Sequence, residues 1–281
     1  MKIYSIIAEK FKLDGGACFG TVPKTIWQKH LKVDENNLIE VVTRCLLVED
    51  DNRLILFDTG MGNKQDEKYF SHFHLFGDES LEKGIQELGF KLSDITDVVF
   101  THLHFDHCGG AFRYNADKSQ IVPLFENAEY WCSEAHWYSA LYPNPREKAS
   151  YFAENILPIE QSGKLNLVKY NTFLTENIEL RMFHGHTIGQ MIPFVHYHNK
   201  TLVFMADFIP SFLHIPIGYL AGFDTQPLVS MDEKKHFLKE AYEGNYTLLF
   251  EHDIDVECCD LQTSEKGIRL NNTFNLQSFV K

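Results

Sequence analysis

Four side chains suited to binding metal, His102, His104, Asp106 and His107, fall within one short run, T-H-L-H-F-D-H-C-G-G, from Thr101 to Gly110. The run follows directly on Ile95 to Phe100, whose apolar and β-branched content predicts a buried strand. The polar groups therefore emerge together at a strand end, where the ligands of layered α/β sheets gather. Three imidazoles and a carboxylate crowded there would repel or desolvate one another unless a cation offset the cost. His102 and His104, two apart on extended backbone, face the same way and can share one ion. Asp106 and His107 point away from that pair and, after a turn, can hold a second. Gly109 and Gly110 let the next element begin tightly against the centre. Imidazole with carboxylate suits zinc, with iron or manganese also compatible.

Further strands are expected at Ile39 to Val48 and Leu54 to Phe57, joined across Glu49-Asp50-Asp51-Asn52 as a hairpin that delivers Asp58 to a strand end. Leu81, Ile85 and Leu88 have helical spacing that stops at Gly89. Ile178 to Phe183, Met191 to Val195, Leu202 to Met205 and Thr247 to Phe250 read as strands, and Met231 to Tyr242 as a surface helix. Glu126 to Ser150 is aromatic and interrupted by proline, and reads as helix plus loop covering the mouth of a site.

Two ions need ligands from distant segments, and three strand ends offer them. His186 lies in F-H-G-H-T-I-G after a strand, with His184 as the competing choice; Asp207 follows Leu202 to Met205, and His252 follows Thr247 to Phe250. An uncompensated carboxylate at the end of an apolar run is costly, whereas one on a metal is not.

The order H-x-H-x-D-H, then G-H-T-x-G, then a strand ending in A-D, then a strand ending in E-H-D resembles the metallo-beta-lactamase superfamily, over about Ile39 to Asp253. The resemblance implies an α+β fold, a four-layer αββα sandwich of two mixed sheets. It implies a single domain over residues 1–281 with an N-terminal extension and an inserted helix/loop region around 126–160. It implies that His102, His104 and His186 hold one divalent ion, that Asp106, His107 and His252 hold the other, and that Asp207 bridges the two. Asp58, in F-D-T-G, matches a position that supports the site without being a ligand. His107 and Asp207 argue against the lactamase branches that use Cys in the bridging position.

Within the superfamily, G-x-V-P-K-x-x-W from Gly20 to Trp27 and R-C-L-L-V from Arg44 to Val48 are similar to the lactonase and organophosphate-hydrolase branch. The implied activity is hydrolysis of a lactone or carboxylic ester by a hydroxide bridging two ions, most readily zinc, with Asp106 in the catalytic set. Phosphotriester hydrolysis is the near rival. An iron-dependent sulfur dioxygenase, a thioesterase resembling glyoxalase II and a non-catalytic metal-binding module are the alternatives of other classes. Acyl-homoserine lactonases commonly carry Tyr three residues after the bridging Asp. That position is Pro210 here, so Tyr219 or His214 would have to substitute, and His214 is the candidate general acid or substrate contact.

The rest of the composition narrows the partners. A net charge of −13, spread along the chain, offers no basic surface to phosphate backbones or anionic lipids, so neither nucleic acid nor membrane is an expected partner. A small molecule with an apolar part is expected instead, and a homodimer is compatible with Glu126 to Ser150, which reads as a dimer surface or a lid. The aromatics Phe19, Trp27, Trp131 and Trp137 are candidates to line its pocket or to fill the core. His72 and His74 repeat H-x-H without an Asp-His behind them. The six cysteines form no C-x-x-C pair and read as reduced, buried thiols. Met1 to Phe11 lacks a signal-like apolar stretch, and no segment approaches the roughly 20 apolar residues that span a bilayer, from which cytoplasmic residence is expected.

Overall fold

Two apolar runs flank the turn-forming residues after Glu49, and they pair as an antiparallel hairpin with Leu46 opposite Phe57 and Asp50 opposite Arg53. This hairpin opens the first of two mixed sheets in the computed structural model, which describes Met1 to Lys281. The chain divides into two units, Met1–Lys10 with Thr43–Thr172, and Phe11–Val42 with Phe173–Lys281.

The first sheet contains β1 (Lys2–Asp14), β2 (Leu38–Asp50), β3 (Arg53–Phe57), β4 (Asp97–Val99), β7 (Glu129–Ser133) and β8 (Leu165–Val168), in the order β1-β2-β3-β4-β7-β8. A separate two-stranded piece is made by β5 (Phe112–Tyr114) and β6 (Ile121–Pro123). From β3 to β8 the pairings are parallel. Parallel strands are covered on both faces, which is why Leu54–Phe57 and Asp97–Val99 are buried at every position. The helix Leu81–Glu87 forms where expected: Ser80 caps it by accepting from Lys83 N, and Leu81 and Ile85 are buried. Leu47, Leu56, Ile85, Val98, Phe100, Tyr130, Trp137 and Ile159 belong to the core of this unit.

The second sheet contains β9 (Thr172–Thr175), β10 (Ile178–Phe183), β11 (Gln190–Tyr197), β12 (Lys200–Phe204), β13 (Thr247–Leu249), β14 (Cys258–Ser264) and β15 (Gly267–Phe274), in the order β15-β14-β13-β12-β11-β10-β9. Only β12 and β13 are shown to pair in parallel. The helix Pro227–Glu243 sets Phe237 against Phe183, Phe194 and Phe208 with ring centroids 6.3, 6.0 and 5.2 Å apart. Proline at its first turn, where no N–H is needed, starts the helix four residues before the expected Met231.

Two other expectations change. Glu126 to Ser150 is not only helix and loop: Glu129–Ser133 is a strand inside the first sheet, followed by the helix Glu134–Leu141 capped by Ser133. The alternating Tyr130 and Cys132, both buried, are the strand signal that the surrounding aromatics obscured. Lys2–Asp14, assigned no structure from the sequence, forms the long strand β1. All six cysteines are free and buried, as expected. No helix is long and apolar enough to cross a membrane.

Candidate metal centre

Strands β3 and β4 are parallel neighbours, so their C-terminal ends release Asp58 and Thr101 side by side. Asp58 turns with φ of 57°, a left-handed conformation that Asp tolerates better than most residues. Its buried carboxylate accepts from Thr101 N at 2.7 Å, from the Thr101 hydroxyl at 2.6 Å and from His107 Nδ1 at 3.0 Å.

These donors settle the tautomers of two imidazoles. Thr101 gives its one hydroxyl proton to Asp58, so at 3.0 Å from His102 Nδ1 it can only accept. His102 and His107 thus carry their protons on Nδ1 and present lone pairs on Nε2. His102 Nε2 faces His104 Nδ1 at 3.0 Å, and His107 Nε2 faces Asp106 Oδ1 at 3.8 Å. Asp106 and His107 sit in the short helix Phe105–Cys108, and the His107 ring lies 3.9 Å from that of His102. The Nε2 lone pairs of His102 and His107 each face another possible ligand atom, an arrangement that suits a cation.

The ligand run is stitched to the turn after Asp58. Thr59 donates to the His107 carbonyl through both its N–H, at 2.7 Å, and its hydroxyl, at 3.0 Å. The Lys64 ammonium donates to the carbonyls of Gly109 and Phe112. The two segments approach so closely that a Cβ on Gly109 would overlap the Met61 carbonyl, and one on Gly62 would overlap that of Gly109.

The second unit repeats the device. Strands β12 and β13 are parallel, and their C-terminal ends release Asp207 and His252. Ala206, in the turn, has φ of 43°, a strained value for a residue with a Cβ. Asp207 Oδ1 lies 2.8 Å from His252 Nε2, and Oδ2 lies 3.1 Å from His186 Nε2. His252 Nδ1 donates to the Val42 carbonyl at 2.8 Å, because a carbonyl can only accept, and His186 Nδ1 lies 3.1 Å from Asp224 Oδ1. Burial opposes charge on His186, but the carboxylates of Asp207 and Asp224 outweigh it and push the imidazole pKa up to about 10. Without a metal, a proton supplies the positive charge that this cluster demands.

His186 is therefore the buried histidine of the H-G-H motif, whereas His184 is exposed and accepts from Gly189 N. His214, the candidate general acid or substrate contact, is tied into its own loop. Its Nε2 donates to the Cys18 carbonyl at 2.9 Å, its Nδ1 lies 2.8 Å from the Ser211 hydroxyl, and its ring stacks on Phe19 at 4.8 Å. Burial first, with Lys234 nearby, pushes its pKa down to about 4. The Lys234 ammonium donates to the carbonyls of His214, Pro216 and Tyr219, holding this loop as a structural unit. Pro210 accepts from His252 N at 3.1 Å. Phe19, Trp27 and Trp137 are buried in the core, Trp131 donates to Asp97, and His72 and His74 lie exposed in a loop.

Residues missed in the sequence also surround the ligand run. Tyr69, Phe73, Phe105 and Phe152 form a half-buried aromatic wall, with Tyr69 at 5.2, 5.5 and 5.0 Å from the other three rings. Glu9, on β1, accepts from the Thr43 hydroxyl and from Met61 N at 3.2 Å. Burial pushes its carboxyl up to about 7, with the charge of Asp106 adding to the effect. A carboxyl raised in this way penalises the folded state as pH climbs from about 4.5 to about 7, and fully above that range. Glu9→Gln in metal-free protein is expected to add about 2–3 kcal/mol of stability at pH 8 and almost nothing at pH 4. Urea unfolding at the two pH values checks this, and equal effects at both would contradict it.

Comparison with known proteins adds the lineage. Residues 38–258 match the family profile of the metallo-beta-lactamase superfamily. The chain belongs to the metallo-beta-lactamase superfamily. It is a metal-dependent hydrolase with the α+β metallo-beta-lactamase fold. An N-acyl homoserine lactonase of Bacillus cereus is 24% identical over 234 residues, covering 79% of this chain and 85% of the relative. A probable metal-dependent hydrolase from Staphylococcus aureus superposes with a TM-score of 0.86 at 26% identity, over 97% of this chain and 98% of that one. AidC, a dizinc quorum-quenching lactonase solved with a product, superposes with a TM-score of 0.74 at 22% identity, over 97% and 94% of the two chains.

Proposed function

We propose that this superfamily member is a two-metal lactonase. His102, His104 and His186 would hold one divalent ion, and Asp106, His107 and His252 the other, with Asp207 on both. Zinc is the ion we favour, from the imidazole-rich donor set and the dizinc neighbour. The observation that carries the reading is the fixing of tautomers: His102, His107, His186 and His252 each have Nδ1 tied to an oxygen and turn Nε2 to the candidate centre.

When bound, the ions supply a water acidified to a pKa of about 7 and polarise the substrate carbonyl. The chain's own contribution is to keep the lone pairs in place. Asp58 holds His107 and Thr101, Asp224 holds His186, and the Val42 carbonyl holds His252. Asp106 would orient the attacking water from the ligand run. The wall of Tyr69, Phe73, Phe105 and Phe152 suits the apolar part of a small-molecule substrate.

The relatives named as acyl-homoserine lactonases favour a lactone over a phosphotriester. The test is turnover by purified, zinc-loaded protein of N-hexanoyl-homoserine lactone, a paraoxon-like phosphotriester and a glutathione thioester. The lactone is expected to turn over fastest. Zinc-loaded protein that leaves it intact, or that prefers either rival, would refute the assignment.

A further inference from the structure

The segment Glu126 to Ser150, expected to cover the mouth of a site, supplies groups together with Tyr151 to the first unit's ligand run. His136, the third residue of the helix Glu134–Leu141, accepts from Leu103 N at 2.8 Å, and Leu103 stands between His102 and His104. Glu147 is 5% exposed, and its Oε1 lies 3.5 Å from His104 Nε2, an ion-pair separation. The Tyr151 hydroxyl donates to the same oxygen at 3.0 Å, and Asn144 Nδ2 donates to the other at 2.5 Å. The Tyr151 ring lies 5.0 Å from that of His104. Taking a carboxylate this far out of water is costly, and nothing in the proposed reaction uses it directly.

His104 differs from the other histidines of its run because Nδ1, not Nε2, faces the candidate centre, at 3.0 Å from His102 Nε2. For Nδ1 to act as a metal donor, the ring proton must sit on Nε2, and Glu147 is the acceptor in reach. We propose that Glu147 is a positioning residue that keeps His104 in the Nε2–H tautomer, with Asn144 and Tyr151 fixing its carboxylate. The inference rests on the proposed reading that His104 ligates an ion. A negative charge behind a ligand imidazole makes the donor nitrogen more electron-rich and tightens the metal.

The test titrates zinc, followed by cobalt(II) with its visible absorption, into chelator-stripped full-length protein and its variants. Wild type is expected to take two equivalents. Glu147→Gln is expected to weaken one equivalent about 10- to 100-fold and leave the other unchanged, with an altered cobalt spectrum and an unaltered melting temperature of the metal-free protein. Tyr151→Phe should weaken the same equivalent by less, and decides the matter if Glu147→Gln does not fold. Wild-type titration curves for the variants would overturn the role of Glu147 alone. Loss of both equivalents together with a lowered metal-free melting temperature would overturn it too, since that is a folding defect. A wild-type protein that takes up no metal would overturn the two-metal reading itself.

Discussion

Asp207→Asn is expected to lower lactone turnover by about a thousandfold or more, equivalent to about 4 kcal/mol of lost transition-state stabilisation. Asparagine keeps the shape of the side chain but removes the charge that faces both His186 and His252, at 3.1 and 2.8 Å. In metal-free protein the same change should lower the pKa of His186 from about 10, because Asp207 is the strongest of the influences raising it, while Asp224 continues to hold Nδ1. Steady-state kinetics and proton NMR of the His186 ring measure the two effects. Near-normal turnover would remove Asp207 from the catalytic set. An unchanged His186 titration would show that the carboxylate does not govern that imidazole.

Gly109→Ala is expected to destabilise the protein by about 3 kcal/mol or more, lowering the melting temperature by roughly 6–12 °C. The added methyl would meet the Met61 carbonyl, which is backbone and cannot rotate away. Relief requires the turn after Asp58 to move off the ligand run, and that turn carries the Thr59 bonds to the His107 carbonyl. Gly218→Ala, where a Cβ meets nothing within 4 Å, serves as the control and should stay within about 0.5 kcal/mol of wild type. Thermal melts of the two variants decide it. Equal melting temperatures would mean that the close approach at Gly109 is not a constraint.

The ligand candidates were legible because each sits where a buried strand stops. Apolar runs end at Asp58, His102, Asp207 and His252, and a polar group at such an end either finds a partner or is selected for a task. His186 is preferred to His184 in the sequence because Gly185 precedes it and Thr187 follows it, and His186 is the buried one of the two. Apart from Asp58, the groups around the ligand run were not legible, because their partners are remote in sequence. Glu9 bonds Met61, and His136 bonds Leu103, and no local periodicity marks either contact. His214 is a different case. A histidine in an apolar loop looks available for proton transfer until the Cys18 carbonyl and the Ser211 hydroxyl are seen to occupy both of its nitrogens. Strand β7 was hidden because its aromatic residues resemble those of a pocket lining, whereas Tyr130 and Cys132 pack into the core of the first unit.

The claim on which the rest depends is that seven side chains hold two ions. A crystal grown with zinc, with anomalous data collected on both sides of the zinc absorption edge, tests it most directly. The account predicts two zinc peaks per chain, one touching His102, His104 and His186, the other touching Asp106, His107 and His252, and Asp207 reaching both. A single peak, no peak, or zinc bound by other side chains would contradict it.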